Sequence, residues 1–326
     1  MNMRLLWLAL LAVVLIAAPF FTYPVTLMTI LCFVIFACSF NLLLGYTGLL
    51  CFGHAMFFGG AAYITGYILK TTHVSLELAL LGGVGAASLL GLLVGWISLR
   101  RSGIQFAMIT FAIAQFIYFI MLQMPFTGGE DGMQGIPRTK LFGIVDASTS
   151  FEFYYVVLAI AALSVALFYR IVHSPFGEIL RAIRDNEPRV ESLGFKPERY
   201  KLLAFVLSAG MAGLAGGLKA TVYQFATLAD VSFPVSSEVI LMTLLGGLGT
   251  LTGPMVGAGL IILLNDYLSS FGEWALISQG VILLIVIIFF RRGLVGELNA
   301  LRRRMSTKSD SKASASAELA SRSPGA

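Results

Sequence analysis

Residues 174–217 read SPFGEILRAIRDNEPRVESLGFKPERYKLLAFVLSAGMAGLAGG, and two different surfaces meet in that one stretch. From Leu202 onward the run is apolar or small, with no charge before Lys219, long enough to cross a bilayer core as a helix rising 1.5 Å per residue. The half before it is charged. Ser174 is a natural N-cap and Pro175 suits the first helical position, so a helix should start there, and Pro188 should stop or kink it. Ile179, Leu180 and Ile183 share one face while Arg181, Arg184 and Asp185 point elsewhere, which makes the helix short and amphipathic. Arg189 to Leu193 gives another turn or two, Gly194 is placed as a C′ residue, and Pro197 restarts a helix into the apolar run.

The rest of the chain repeats the apolar half. Of 326 residues, 58% are hydrophobic and 12% charged, and the mean hydropathy is +0.88. So few charges cannot cover a water-soluble globule of this size, and a cytosolic enzyme is excluded. Candidate spans are residues 5–21, 25–44, 49–69, 78–99, 104–124, 153–169, 202–226 and 274–290. Their length, without strict alternation, indicates helices rather than a barrel. A ninth apolar region, 238–266, is interrupted by Gly246-Gly247-Leu248-Gly249-Thr250-Leu251-Thr252-Gly253-Pro254, a cluster that should split it into half-helices. It either re-enters from one side or crosses twice, giving eight or ten spans. The expected architecture is an all-α polytopic membrane protein of about eight transmembrane helices with a re-entrant Gly-rich hairpin, residues 1–301, followed by a Ser-, Ala- and Lys-rich cytoplasmic tail, 302–326, that cannot order itself.

With a cytoplasmic N-terminus, all but four of the 22 Lys and Arg fall on the cytoplasmic side, the exceptions being Lys70, Arg138, Lys140 and Lys219. The positive-inside rule therefore places both termini and the loop 171–201 in the cytoplasm. Arg4 and the apolar residues after it have some features of a secretory signal, but the first span is expected to be retained. The net charge of +5 is read as sidedness rather than as affinity for nucleic acid.

Several chemistries have no signature. There is no GxxxxGK[ST] loop, so ATP would have to be bound by another chain. His54, His73 and His173 lack ligand spacing, and Cys32, Cys38 and Cys51 sit in apolar runs without CxxC spacing, so neither a metal site nor a disulfide is indicated. The acids are placed at span ends and in loops, which argues against a proton- or sodium-coupled carrier. Ala209, Gly213 and Gly217, like Gly91 with Gly95 and Gly253 with Gly257, repeat at four-residue intervals and should let helices approach closely; whether any of them lines a path is open. His54, Asn41 and Gln115 are polar groups inside spans, suited either to cross-helix hydrogen bonds or to a cavity. The amphipathic loop helix either lies at lipid headgroups or fills a groove on a soluble partner. Six Lys or Arg against four acids between Arg181 and Lys201 favour the partner.

These residues carry a resemblance. The run 174–217 resembles the coupling loop and following span of the M-type permease subunit of branched-chain amino acid ABC importers. Asn41-Leu42-Leu43-Leu44-Gly45-Tyr46-Thr47-Gly48, followed by Phe52-Gly53-His54-Ala55, resembles the early spans of that family. Thr127-Gly128-Gly129-Glu130-Asp131-Gly132-Met133 is similar to its periplasmic TGG-x-x-G segment, and Leu245 to Pro254 to its late glycine-rich hairpin. The likeness covers nearly the whole chain, with four motifs in the family's order; where SLGHA is usual, this chain has Leu50-Cys51-Phe52-Gly53-His54-Ala55 and lacks the serine.

The resemblance implies a type II-like permease that pairs with a second permease subunit, docks two cytoplasmic ATPase subunits and receives substrate from a periplasmic binding protein. It would bind no cofactor itself. Gly177, Arg181, Ala182, Arg184, Asn186 and Gly194 are the expected coupling residues. Asn41, Gly48, His54, Gln115, Thr127, Gly128 and Gly129 are expected along the substrate path, the last three capping its outer mouth, and Ala209, Gly213, Gly217, Gly247 and Gly253 in helix packing. Branched-chain amino acids are the default substrates, with urea, short amides, sugars and aromatic acids as alternatives.

Overall fold

The computed structural model describes residues 22–72, 74–138 and 149–269, with a few isolated positions beyond them (16, 18–20, 280–281, 284 and 293). The expected first and last spans fall largely outside the described residues, and Lys140, His73 and the tail 302–326 wholly so. Ten α-helices are described: α1 Pro24–Asn41, α2 Ala55–Thr72, α3 Leu76–Ser98, α4 Ile104–Gln123, α5 Ser150–Val172, α6 Pro175–Asp185, α7 Glu187–Ser192, α8 Pro197–Tyr223, α9 Phe233–Gly246 and α10 Gly253–Ser269. Among the described residues, five helices are long and apolar enough to cross a membrane: α1 with its extension to Thr47, α3, α4, α5 and α8; α9 and α10 are shorter apolar helices.

Burial sorts them into an inner and an outer set. The apolar stretches of α1 and α8 are 78% and 67% buried, against 39%, 28% and 33% for α3, α4 and α5. The outer helices keep Leu81, Leu89, Trp96, Phe116 and Leu163 exposed, a surface for lipid rather than water. At the centre α8 packs on α1, α2 and α3, and its small residues explain how. Cβ atoms at Gly213 and Gly91 would overlap the methyls of Ala87 and Ala209, so the helices meet through the four-residue small-residue rows seen in the sequence. Gly217 faces Thr65 and Leu80.

One span differs from expectation. Residues 49–69 read as a continuous apolar helix, but α1 ends in a π-wound turn, Leu42–Thr47, Gly48 takes φ 76°, and α2 begins only at Ala55. The Leu49 amide returns to the Leu43 carbonyl at 3.0 Å, closing the helix end in the glycine-capped manner. The intervening segment is non-helical yet largely buried, and the Ala55 amide donates to Ser236 Oγ at 2.9 Å. Protein groups thus satisfy backbone that lipid could not.

The glycine-rich region divides as its sequence predicts. Helices α9 and α10 pack together, and their backbones come close where Gly257 faces the Met242 carbonyl and Gly246 faces that of Gly253. Gly247 (φ 116°) and Gly249 (φ 70°) form the tip. At the other end of the bundle, β1 (Met133–Gln134) pairs antiparallel with β2 (Phe225–Ala226), just after α8.

Candidate functional site

The amphipathic stretch folds as its caps dictate. Ser174 Oγ accepts from the Gly177 amide at 3.4 Å and opens α6; Asn186 Oδ1 accepts from the Arg189 amide at 3.2 Å and opens α7. Gly194 takes φ 87° and ends it. Gly177, Leu180 and Ile183 are buried, and a Cβ at Gly177 would overlap the Val172 carbonyl, so α6 lies directly on the end of α5.

Two arginines fasten α6 to the bundle. The Arg181 guanidinium lies 5.1 Å from the Tyr46 ring and reaches the Val172 carbonyl at 3.5 Å. Arg184 donates to the Gly45 carbonyl and pairs with Asp185 at 3.2 Å, and its side chain lies against Gly48 and the hairpin-tip residue Gly249. Lys201 pairs with Glu187 and ties α7 to α8. The expected coupling residues therefore separate by position. Gly177 is buried and Arg181 half-buried against the bundle, Arg184 clamps it with a side chain that stays 40% exposed, and Ala182, Asn186 and Gly194 are exposed, together with Asp185, Arg189, Leu193 (70%) and Phe195 (42%).

Asn41 connects this end to the hairpin. Its Nδ2 donates to the Thr250 carbonyl at 2.8 Å and its Oδ1 accepts from the Gly249 amide at 3.0 Å. Both of these bonds run from α1 to the non-helical tip. Gly45, Gly48, Asn41, Arg184 and Gly249 thus form one joint between α1, α6 and the tip. Asn41→Leu leaves the Gly249 amide and the Thr250 carbonyl, both on half-buried residues, unpaired, and at ~1–3 kcal/mol for each unsatisfied group the variant should lose about 2–6 kcal/mol; thermal unfolding in detergent measures it.

The joint lies within the sequence matched by a known family. The model described as "Branched-chain amino acid transport system / permease component" matches residues 24–290. The chain belongs to this family. The permease is 28% identical over 321 residues to the high-affinity branched-chain amino acid transport system permease protein LivM of Escherichia coli strain K12, an alignment covering 89% of this chain and 74% of that protein. It is 27% identical to the probable LivM of Methanocaldococcus jannaschii, covering 67% of this chain and 73% of the relative. With LivH of Salmonella typhimurium, a permease protein of the same kind of system, identity is 23% over 81% of this chain and 91% of that one. No solved structure matches it significantly.

The permease is an integral membrane protein, and its remaining expected path residues are scattered. His54 is fully buried; its Nε2 lies 2.9 Å from Ser39 Oγ, and its ring stacks on Phe36 with a centroid distance of 5.3 Å. Ser39 Oγ also donates to the Phe36 carbonyl at 2.7 Å, and the His54 ring ties α1 to the start of α2. Gln115 is half-buried on α4. Thr127 Oγ1 donates to the Met121 and Met124 carbonyls, each at 2.6 Å, capping α4. Gly128 and Gly129 have φ 77° and 62°, and a Cβ at Gly128 would overlap the Gly132 carbonyl, so this turn is tight because it packs on itself and on β2. Gly247 and Gly253 shape the tip, where Thr250 Oγ1 accepts from the Gly253 amide at 3.1 Å.

Sequence reasoning missed a charged pair. It put the acids at span ends and in loops, but the chain after α8 folds back into the bundle and carries Asp230 with it to 3% exposure. Asp230 Oδ1 accepts from Lys219 Nζ, and Oδ2 accepts from the Thr227 amide at 3.4 Å. Glu238 Oε1, on α9, accepts from Asn265 Nδ2 at 2.7 Å. The available signal was Lys219 itself, a lysine inside an otherwise uncharged span, which calls for a buried partner.

Proposed function

We propose that the permease is one membrane subunit of an ATP-driven importer that carries branched-chain amino acids inward across the bacterial inner membrane. It pairs with a second permease subunit related to LivH, and two separate ATPase subunits grip α6 and α7 from the cytoplasm. A periplasmic binding protein presents substrate at the opposite end, beside the β1–β2 pair. Both termini are cytoplasmic, ATP is bound by the partners, and the permease itself carries out no chemical step and binds no cofactor.

The observation that supports this reading best is the placement of α6. One face is clamped to the joint by Arg181 and Arg184, while the other presents Ala182, Asn186 and the exposed apolar Leu193 and Phe195 beside it. A rigid helix held on one side and free on the other is suited to fill a partner's groove and carry its movement inward. Closure of the ATPase dimer would move α6 as a body, and Gly45 and Gly249, in contact with Arg184, would move with it.

The test is leucine uptake into proteoliposomes holding the complete complex, with ATP enclosed and loaded binding protein outside. Accumulation should fall to background when either ATP or the ATPase subunits are omitted. Uptake by the permease alone, without ATP, would sink the proposal.

A further inference from the structure

The pair Lys219–Asp230 has features that structural anchoring alone does not call for. Lys219 lies one turn from the end of α8, with the rings of Phe58 and Tyr223 each 5.8 Å from its Nζ. Asp230 sits on the 3-10 turn Leu228–Val231, pressed on Gly59 of α2, where a Cβ would come within 2.7 Å of the Asp230 carbonyl carbon. One turn beyond Gly59 on the same helix comes Tyr63, fully buried, whose hydroxyl has no hydrogen-bond partner. Tyr223 is engaged elsewhere, its hydroxyl 2.9 Å from Thr29 Oγ1. A cation and an anion from two elements therefore meet beside aromatic rings, against a helix that carries an idle phenol one turn from the contact.

Charge balance decides which ligand suits them. A lone cation or anion entering the pair would leave one buried protein charge uncompensated, and a neutral ligand could compensate neither. A zwitterion can open the pair without that penalty, because its carboxylate replaces Asp230 at the ammonium of Lys219 while its own ammonium replaces Lys219 at Asp230. We propose that Lys219, Asp230 and the Tyr63 hydroxyl form a transient binding site for the charged end of a zwitterionic α-amino acid during its passage. The carboxylate rests on Lys219 and the ammonium on Asp230, the Tyr63 hydroxyl adds a hydrogen bond that the empty protein does not use, and an apolar side chain faces the rings of Phe58 and Tyr223. This rests on the proposed function, since it concerns the cargo of the same machine.

Two variants test it in proteoliposomes of the complete complex, with assembly and melting temperature measured alongside leucine uptake. Tyr63→Phe removes a hydroxyl with no partner, so assembly and melting temperature should hold while uptake at low leucine falls about fivefold or more. Lys219→Met combined with Asp230→Leu removes both charges of the pair at once, a kind of replacement that a purely structural ion pair often tolerates; uptake should nevertheless fall at least tenfold. Wild-type uptake by the assembled double variant overturns the site whatever Tyr63→Phe does. If the double variant does not assemble, Tyr63→Phe decides, and unchanged uptake overturns the site. An unmodified complex that fails to accumulate leucine with ATP defeats the proposed function itself, and the site with it.

Discussion

Arg181→Glu is expected to bring ATP-driven uptake to background, at least a hundredfold down, while the permease still inserts into the membrane in normal amount. The arginine contributes little to the bundle's own packing, since it is only half-buried on a helix outside the apolar spans. Its work is at the contact between α6 and the rest: the guanidinium over the Tyr46 ring and its reach to the Val172 carbonyl. A carboxylate there turns an attractive cation–ring contact into repulsion from the ring face and from a carbonyl oxygen. Arg184→Glu should act alike, because it strips Gly45 of its donor and sets a second carboxylate beside Asp185. Uptake and ATP hydrolysis measured on the same preparation, with membrane content by immunoblot, give the answer; uptake near the unmodified level in either variant would show that α6 is not clamped through these contacts.

Gly216→Val should yield no folded permease. A Cβ at Gly216 would overlap the Phe58 carbonyl oxygen and come within 2.6 Å of the carbonyl carbon, and both belong to helical backbone at the buried contact between α8 and α2. No rotamer change relieves a clash between main chains, so the cost should exceed the ~1–3 kcal/mol of an ordinary overpacked core. The gain in helix propensity, ~1 kcal/mol for alanine and less for valine, cannot offset it. Gly85→Ala is the control, exposed on α3 with open space around it, and should be neutral or slightly stabilising. Size-exclusion profiles in detergent distinguish the two; a monodisperse Gly216→Val peak at wild-type yield would contradict the packing described.

What could be read from the chain alone follows from how local each cause is. Ser174, Pro175 and Gly194 act on their own neighbours, so the limits of α6 and the end of α7 were visible in the residues. The small-residue rows announced close packing because spacing along one helix is a local property, although only the structure pairs Gly91 with Ala209. The break between Gly48 and Ala55 was hidden, since Leu49-Leu50-Cys51-Phe52 is as apolar extended as it is helical and hydropathy does not distinguish the two. Asn41 and Arg184 looked like a path residue and a partner contact; they meet at Gly45 and Gly249 because segments some two hundred residues apart fold together. The Lys219–Asp230 pair depended on a loop turning back into the bundle, and no periodicity records that.

The central claim is that α6 presents a cytoplasmic face to a separate ATPase while its other face holds the bundle. Labelling of Ala182→Cys by a membrane-impermeant maleimide tests it most directly, since Ala182 is exposed and the native Cys32, Cys38 and Cys51 are all buried. Rapid labelling in inside-out vesicles stripped of ATPase subunits, none in right-side-out vesicles, and protection once the subunits rebind are expected. Labelling from the outer side, or an unchanged rate with the ATPase subunits bound, would contradict it.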